Sequence, residues 1–276
     1  MKKEWDHQGI IEKFEANRNE ELAVPMAAYM RNQFPFLGIK TPLRNALLKE
    51  QFLEYQLPAP ERLAEEVLKI YDLPEREYQY AAIALLEKMK KHLSVDELPF
   101  LRQLIESKSW WDSVDSIAPR IVGHVIQIDC AAGTPIMFEW TEAGNIWTNR
   151  AAILHQLKFK HQTDTAVLSR IILQHAGSSE FFIQKSIGWA LREYAKTDAD
   201  WVRSFVSAHR LMPLSKREAL KNINDIKKPD ASPGFSGCRE IHMFFFHFAP
   251  GRTLSVGCVL SLLARWQKPC APASLR

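Results

Sequence analysis

The chain has 276 residues, 46% of them hydrophobic and 25% charged, with a formal net charge of +4, a balance ordinary for a soluble globular protein. That length can hold one large domain or two small ones and can bury a sizeable core. Four cysteines without a C-x-x-C pair, an N-terminus that lacks the apolar stretch of a signal peptide, and no apolar run near the roughly 20 residues of a membrane span exclude a secreted disulfide framework and point to a cytoplasmic protein.

Charge is unevenly placed. Between Arg150 and Lys228, 14 Lys and Arg stand against 7 Asp and Glu, an excess of 7 that leaves the rest of the chain at −3. A basic stretch of that kind fits an anionic partner, of which nucleic acid is the commonest, or a solvated surface with no partner at all.

Taken in order, residues 10–34 read as amphipathic helices broken near Asn17-Arg18-Asn19, with Tyr29 in the second. Thr41-Pro42 reads as a helix start, with Thr41 as the N-cap and Pro42 in the first turn. Pro58 and Pro60 close that unit, and a further helix spans 61–70. The segments 98–105 and 166–174 are amphipathic, and no stretch shows sustained strand alternation. Ser215 and Glu218 have capping-box spacing at the start of a last helix.

Between these segments runs a repeat. Tyr80, Asp115, Arg150 and Lys185 are spaced 35 residues apart, and each is followed by a small residue, Ala81, Ser116, Ala151 or Ser186. Helix pairs at such a period describe an all-α, HEAT-like α-solenoid of stacked antiparallel pairs, whose second helices line a concave basic groove. Repeats can recur for packing alone, which suits the small residues. Charges at Asp115, Arg150 and Lys185 fit a lined groove better, because core positions rarely carry them.

The most unusual stretch is 107–116, Ser-Lys-Ser-Trp-Trp-Asp-Ser-Val-Asp-Ser. On a helix Trp111 and Asp115 lie one turn apart on one face, with Asp112 flanking them. Tryptophan is usually core and an early aspartate usually a cap, yet an indole beside a carboxylate also makes a site for a cation. Trp189 falls one turn after Lys185, and Arg192 three residues beyond it. An acid set alone among cations that could hold phosphates suggests something positively charged beside a nucleic-acid backbone. Lys158 and Lys160 add a basic segment that could also serve only to offset a helix dipole. No metal-ligand spacing, phosphate loop or Ser/His/Asp nucleophile pattern is present, so no metal or cofactor is expected.

After about Asn224 the register is lost. Residues 227–234 read as a linker, and an aromatic run and an apolar segment follow. Two domains are therefore expected, a repeat domain over 1–224 and a tail over 225–276, the latter either an appended segment or a sequence read from another frame. Cys238, His242, His247 and Cys258 match no standard metal spacing.

Lys108-Ser-Trp-Trp-Asp-Ser-Val-Asp-Ser-Ile117 resembles the AlkD family of bacterial DNA alkylation repair glycosylases. So do Tyr71-Asp-Leu-Pro-Glu-Arg-Glu, Asn145-Ile-Trp-Thr-Asn-Arg-Ala-Ala-Ile-Leu and Phe181-Phe-Ile-Gln-Lys-Ser-Ile-Gly-Trp-Ala-Leu-Arg. The likeness covers roughly residues 8–224. It implies a solenoid that grips duplex DNA and excises positively charged N3- and N7-alkylated purines. It further implies Asp115 as the catalytic carboxylate, Trp111 and Trp189 as the indoles flanking the lesion's deoxyribose, and Tyr29, Arg150, Arg192 and Lys158 as DNA contacts. Lys160 and Lys185 belong to the same basic groove. The expected protein is a monomeric, monofunctional glycosylase; a non-catalytic binder of unusual DNA structures and a protein–protein scaffold are the competing readings.

Overall fold

The computed structural model describes residues 1–221 and 223. The expected tail, its candidate metal-binding cysteines and histidines, and the domain boundary near 224 lie outside the described residues.

Helices form where short polar side chains can take up the orphan amides of a first turn. Asn19 accepts from the Leu22 amide ahead of α2 (Glu20–Tyr29), which follows α1 (Gln8–Glu15). In α3 (Thr41–Glu54) the cap position is Lys40 and Thr41 is already helical, one residue earlier than the Thr-Pro pattern predicts. A 3-10 turn, Pro60–Arg62, leads into α4 (Leu63–Tyr71), and α5 (Arg76–Met89) and α6 (Leu98–Glu106) follow. Next come α7 (Trp111–Ile117) and α8 (Gly123–Ile128), joined by a π-helical turn over Ala118–Val122. Pro119 lies in that turn. Its ring nitrogen cannot donate to the Asp115 carbonyl one turn back, which accounts for the local widening.

Asp129 caps α9 (Cys130–Thr141), Asn145 caps α10 (Ile146–Leu154), and Asp164 caps α11 (Thr165–Gln174). Beyond these are α12 (Phe181–Tyr194), α13 (Ala199–Ala208), capped by Asp198, and α14 (Pro213–Leu220). The capping box expected at Ser215 is not formed. Its hydroxyl donates to the Gln184 carbonyl at 3.1 Å, and Glu218 turns to cations of α12. The sole β pairing among the described residues is one bridge between Lys3 and Tyr55.

The helices form an α-solenoid-like stack of pairs. One layer runs through α3, α5, α7, α10, α12 and α14, each packed on the next. Tyr80, Asp115, Arg150 and Lys185 all lie in this layer, on α5, α7, α10 and α12, as the 35-residue spacing predicts. The other helices of the pairs pack against it, and a single apolar cluster extends from Trp5 to Ile223. Helix α5 shows how this works: Tyr78, Ala81, Ala82, Ile83, Leu85, Leu86 and Met89 are all buried, because the helix touches neighbours before and after it as well as its own partner. No described helix is long and apolar enough to cross a membrane.

Candidate functional site

The turn before α7 is held rigidly. Lys108 adopts φ +46°, a left-handed conformation that costs a non-glycine residue energy. Its ammonium offsets that cost by donating to the carbonyls of Tyr71 at 3.1 Å and Leu73 at 2.5 Å. Its own carbonyl accepts from Arg76 at 2.7 Å. Arg76 is fully buried and reaches on to the Asp112 carboxylate at 2.9 and 2.7 Å and to the Ser113 hydroxyl at 2.8 Å. The Tyr80 hydroxyl donates to Asp112 at 2.5 Å, and burial, reinforced by the Asp112 charge, pushes that phenol well above its usual range. Asp112 is thus neither a helix cap nor a solvated acid. It is the anchor that fixes the first turn of α7 to α5.

With α7 fixed, Asp115 faces α10. Its two oxygens accept from Nε and Nη2 of Arg150 at 2.8 and 2.9 Å, a bidentate pair between helices. Only 7% of the Asp115 side chain and 3% of the Arg150 side chain are exposed. Burial pushes the Asp115 carboxyl up, and Arg150 opposes the shift. Because a guanidinium does not deprotonate, a neutral Asp115 would strand a buried cation, so the pair remains ionic. The third guanidinium nitrogen, Nη1, donates to the Phe182 carbonyl.

The acid is not isolated among cations but is neutralised by one of them. The arginine expected to meet a phosphate has every nitrogen engaged within the protein. The physical reason is burial: neither charge could leave water without the other.

The remaining candidates are placed as follows. Trp111 is half-buried at the start of α7, and Tyr29, 64% exposed, meets it edge to face at 6.1 Å between ring centres. Trp189 is half-buried on α12. Lys185 and Arg192 both reach Glu218 of α14, at 3.1 and 2.7 Å. Burial pushes the Glu218 carboxyl up, but these two cations outweigh it and hold it below the usual carboxylate range. Lys158 and Lys160 are exposed and line different clefts, because the chain has left α10 at Leu154 and Lys160 adopts φ +53°. Lys158 lies beside Lys90 and Arg120, whereas Lys160 lies with Glu193 and Lys196. Asp115 lines neither of these two clefts.

Other residues of the site carry no obvious mark in the sequence. Trp110, Trp147 and Phe182 gather with centroids 4.9 to 5.6 Å apart, an aromatic wall contributed by the starts of α7, α10 and α12. Arg44 of α3 stacks on Tyr80 at 4.3 Å. Extending the repeat register would have found one pair of these: Trp147 and Phe182, in contact across α10 and α12, are 35 residues apart.

The second-helix layer therefore offers a buried ionised carboxylate, held rigidly, with an indole one turn away and a tyrosine at the indole's edge. Such a carboxylate can stabilise a cation and orient a water. Among curated proteins there is no match to this chain. It is similar to a solved structure described as a predicted DNA alkylation repair enzyme from Enterococcus faecalis, with 37% identity and a TM-score of 0.69 over 74% of this chain and 95% of that one. Residues 10–223 match the model of the DNA alkylation repair enzyme family, so the chain belongs to that family, whose partner is DNA.

Proposed function

We propose that this protein is a monofunctional DNA glycosylase that hydrolyses the N-glycosidic bond of positively charged N3- and N7-alkylpurines, such as 3-methyladenine and 7-methylguanine, in duplex DNA. The observation that carries the reading is the Asp115 carboxylate, paired bidentately with Arg150 in a nearly dry position one helical turn from Trp111.

An alkylated purine already bears a positive charge and departs without a general acid. The deoxyribose left behind becomes oxocarbenium-like, as in other glycoside hydrolyses. Asp115 stabilises that cation and orients the attacking water, and a single carboxylate suffices because the leaving group is already activated. Indole faces at Trp111 and Trp189 add cation–π attraction of about 0.5–2 kcal/mol each. Asp112, committed to Arg76 and Tyr80, positions α7 and takes no part in the chemistry. Lys108, whose ammonium is engaged by two carbonyls, is unsuited to Schiff-base strand cleavage. Tyr29, Lys158, Lys160, Lys185 and Arg192 contribute DNA contacts, and Arg150 acts chiefly by holding Asp115. The protein works as a cytoplasmic monomer.

One observation favours a second reading. A bidentate pair linking two repeats is also what a structural bridge would look like, and a non-catalytic binder of unusual DNA structures could retain it. Release of 7-methylguanine from methylated duplex DNA separates the two. Release by the wild type and not by Asp115→Asn supports the glycosylase. Binding without release by either chain supports the structural binder.

A further inference from the structure

The repeat carries a second regularity one residue ahead of Tyr80, Asp115, Arg150 and Lys185. The side chains there are Gln79, Val114, Asn149 and Gln184. Three of them are buried amides that donate to carbonyls left open where the preceding helix ends. Gln79 donates to Tyr71 and Leu73 at 2.6 and 2.7 Å, at the end of α4. Asn149 donates to Trp140, Thr141 and Ala143 at 2.9, 3.1 and 2.8 Å, at the end of α9. Gln184 donates to Ser179 at 3.1 Å, in the loop after α11. Each amide ties a helix of the layer to the segment just before it in the chain.

The repeat that holds Asp115 departs from this pattern. Val114 is fully buried and has no donor to offer. Ser109, in the loop itself, donates to the Ile105 carbonyl at 2.7 Å. Further support arrives from the preceding pair, α4 and α5. The Tyr71 hydroxyl donates to the Leu104 carbonyl at 2.9 Å and lies 3.3 Å from that of Ser107. Tyr71 is fully buried, which pushes the pKa of its phenol up to about 12, so at neutral pH it keeps the proton it donates. The bonds from Arg76 to the Lys108 carbonyl and from Lys108 to the carbonyls of Tyr71 and Leu73 cross the same boundary.

The end of α6 and the loop ahead of α7 are thus latched to the pair before them. Neighbouring repeats of a solenoid are related by a small rotation, and a bond across their boundary restricts it. Asp115 is joined forward to Arg150 of α10. Tyr71 supplies a backward tie, through the loop that begins at Ser107 and ends at Trp111.

We propose that Tyr71 is a positioning residue: its hydroxyl, by latching the end of α6 to α4, fixes where Trp111 and Asp115 stand when the N-glycosidic bond breaks. The role rests on the glycosylase reading. Tyr71 acts through the Leu104 and Ser107 carbonyls and, being fully buried, touches no substrate. Val114 makes the latch necessary, because the amide that serves the other repeats is missing there.

The test is Tyr71→Phe in the full chain, beside Tyr78→Phe, which removes a hydroxyl bond of 2.9 Å from α5 to Glu15 of α1. Single-turnover release of 7-methylguanine, the Kd for duplex and the melting temperature are measured for each. Tyr71→Phe should slow release by about 10- to 100-fold, the scale of an ångström-sized misplacement of reacting groups, with duplex Kd unchanged. Tyr78→Phe should release at the wild-type rate even where its melting temperature falls as far. In native-state hydrogen exchange of the wild type, the amides of α7 should open in the same step as those of α4 and α5.

A wild-type rate for Tyr71→Phe overturns the proposal and leaves the glycosylase reading standing. So does a loss of rate that both variants share in proportion to melting temperature, or a weaker duplex Kd that accounts for the whole loss. A separate, easier opening of α7 also overturns it. No release by the wild type removes the glycosylase reading, and this role with it.

Discussion

Replacing Asp115 with Asn changes one oxygen to an amide group at the most constrained point of the layer. In the native chain both carboxylate oxygens accept from Arg150, at 2.8 and 2.9 Å, and both side chains are almost wholly buried. Asn can accept with one oxygen, but its amide group then faces a guanidinium N–H, donor against donor. Removing one partner of a buried pair costs about 3–5 kcal/mol, because the surviving charge stays dry and uncompensated. For a domain of this size each kcal/mol lowers Tm by roughly 2–4 °C, so the expected fall is roughly 6–20 °C. Excision of 7-methylguanine should fall by about 10²–10³, the range for removing one preorganised electrostatic group. The two effects are separated by Asp115→Asn/Arg150→Gln. Neutralising both partners removes the stranded charge and should restore much of the melting temperature while excision stays lost. Wild-type excision by Asp115→Asn would refute the catalytic role. An unchanged melting temperature would refute the argument that the pair is dry.

Gly188→Ala should destabilise the chain by about 1–2 kcal/mol despite alanine's better helix propensity, because overpacking outweighs the backbone gain. The new Cβ would stand 2.4 Å from the Glu218 Cβ and 3.0 Å from the Ser215 carbonyl, pushing α14 off α12; an equal or higher urea midpoint would contradict this. His155 is buried, with its pKa lowered from 6.5 to about 4 chiefly by desolvation. Between those values the unfolded chain binds a proton that the folded chain does not. Stability contributed by this residue is therefore complete above the unfolded value and is lost as pH falls, by about 2 kcal/mol at pH 5. An NMR titration midpoint for His155 at 6 or above would refute the assignment. Excision should also tolerate bulky cationic base adducts, since the proposed chemistry holds sugar and backbone and requires no base pocket; a sharp size cutoff across a lesion series would overturn that expectation.

Much of this protein is legible in its sequence, and for an identifiable reason. Helical periodicity and capping residues are local, so α1, α2, α6 and α11 follow from the chain itself. The 35-residue register is a one-dimensional property of stacked repeats, and by itself it assigns Tyr80, Asp115, Arg150 and Lys185 to one layer. What the register does not reveal is which of those residues satisfy one another. Asp115 takes Arg150, Asp112 takes Arg76 and Tyr80, and Glu218 takes Lys185 and Arg192, always across a helix interface. Such choices depend on rotamers, on the exclusion of water, and on close approaches permitted by Gly123 and Gly188. They depend also on the π turn at Pro119, which alters the helical phase of Arg120 and His124 relative to Asp115. A charge in sequence is only a charge. Packing determines whether it faces a ligand or a neighbour, because the cost of burying it unpaired exceeds the net stability of most domains.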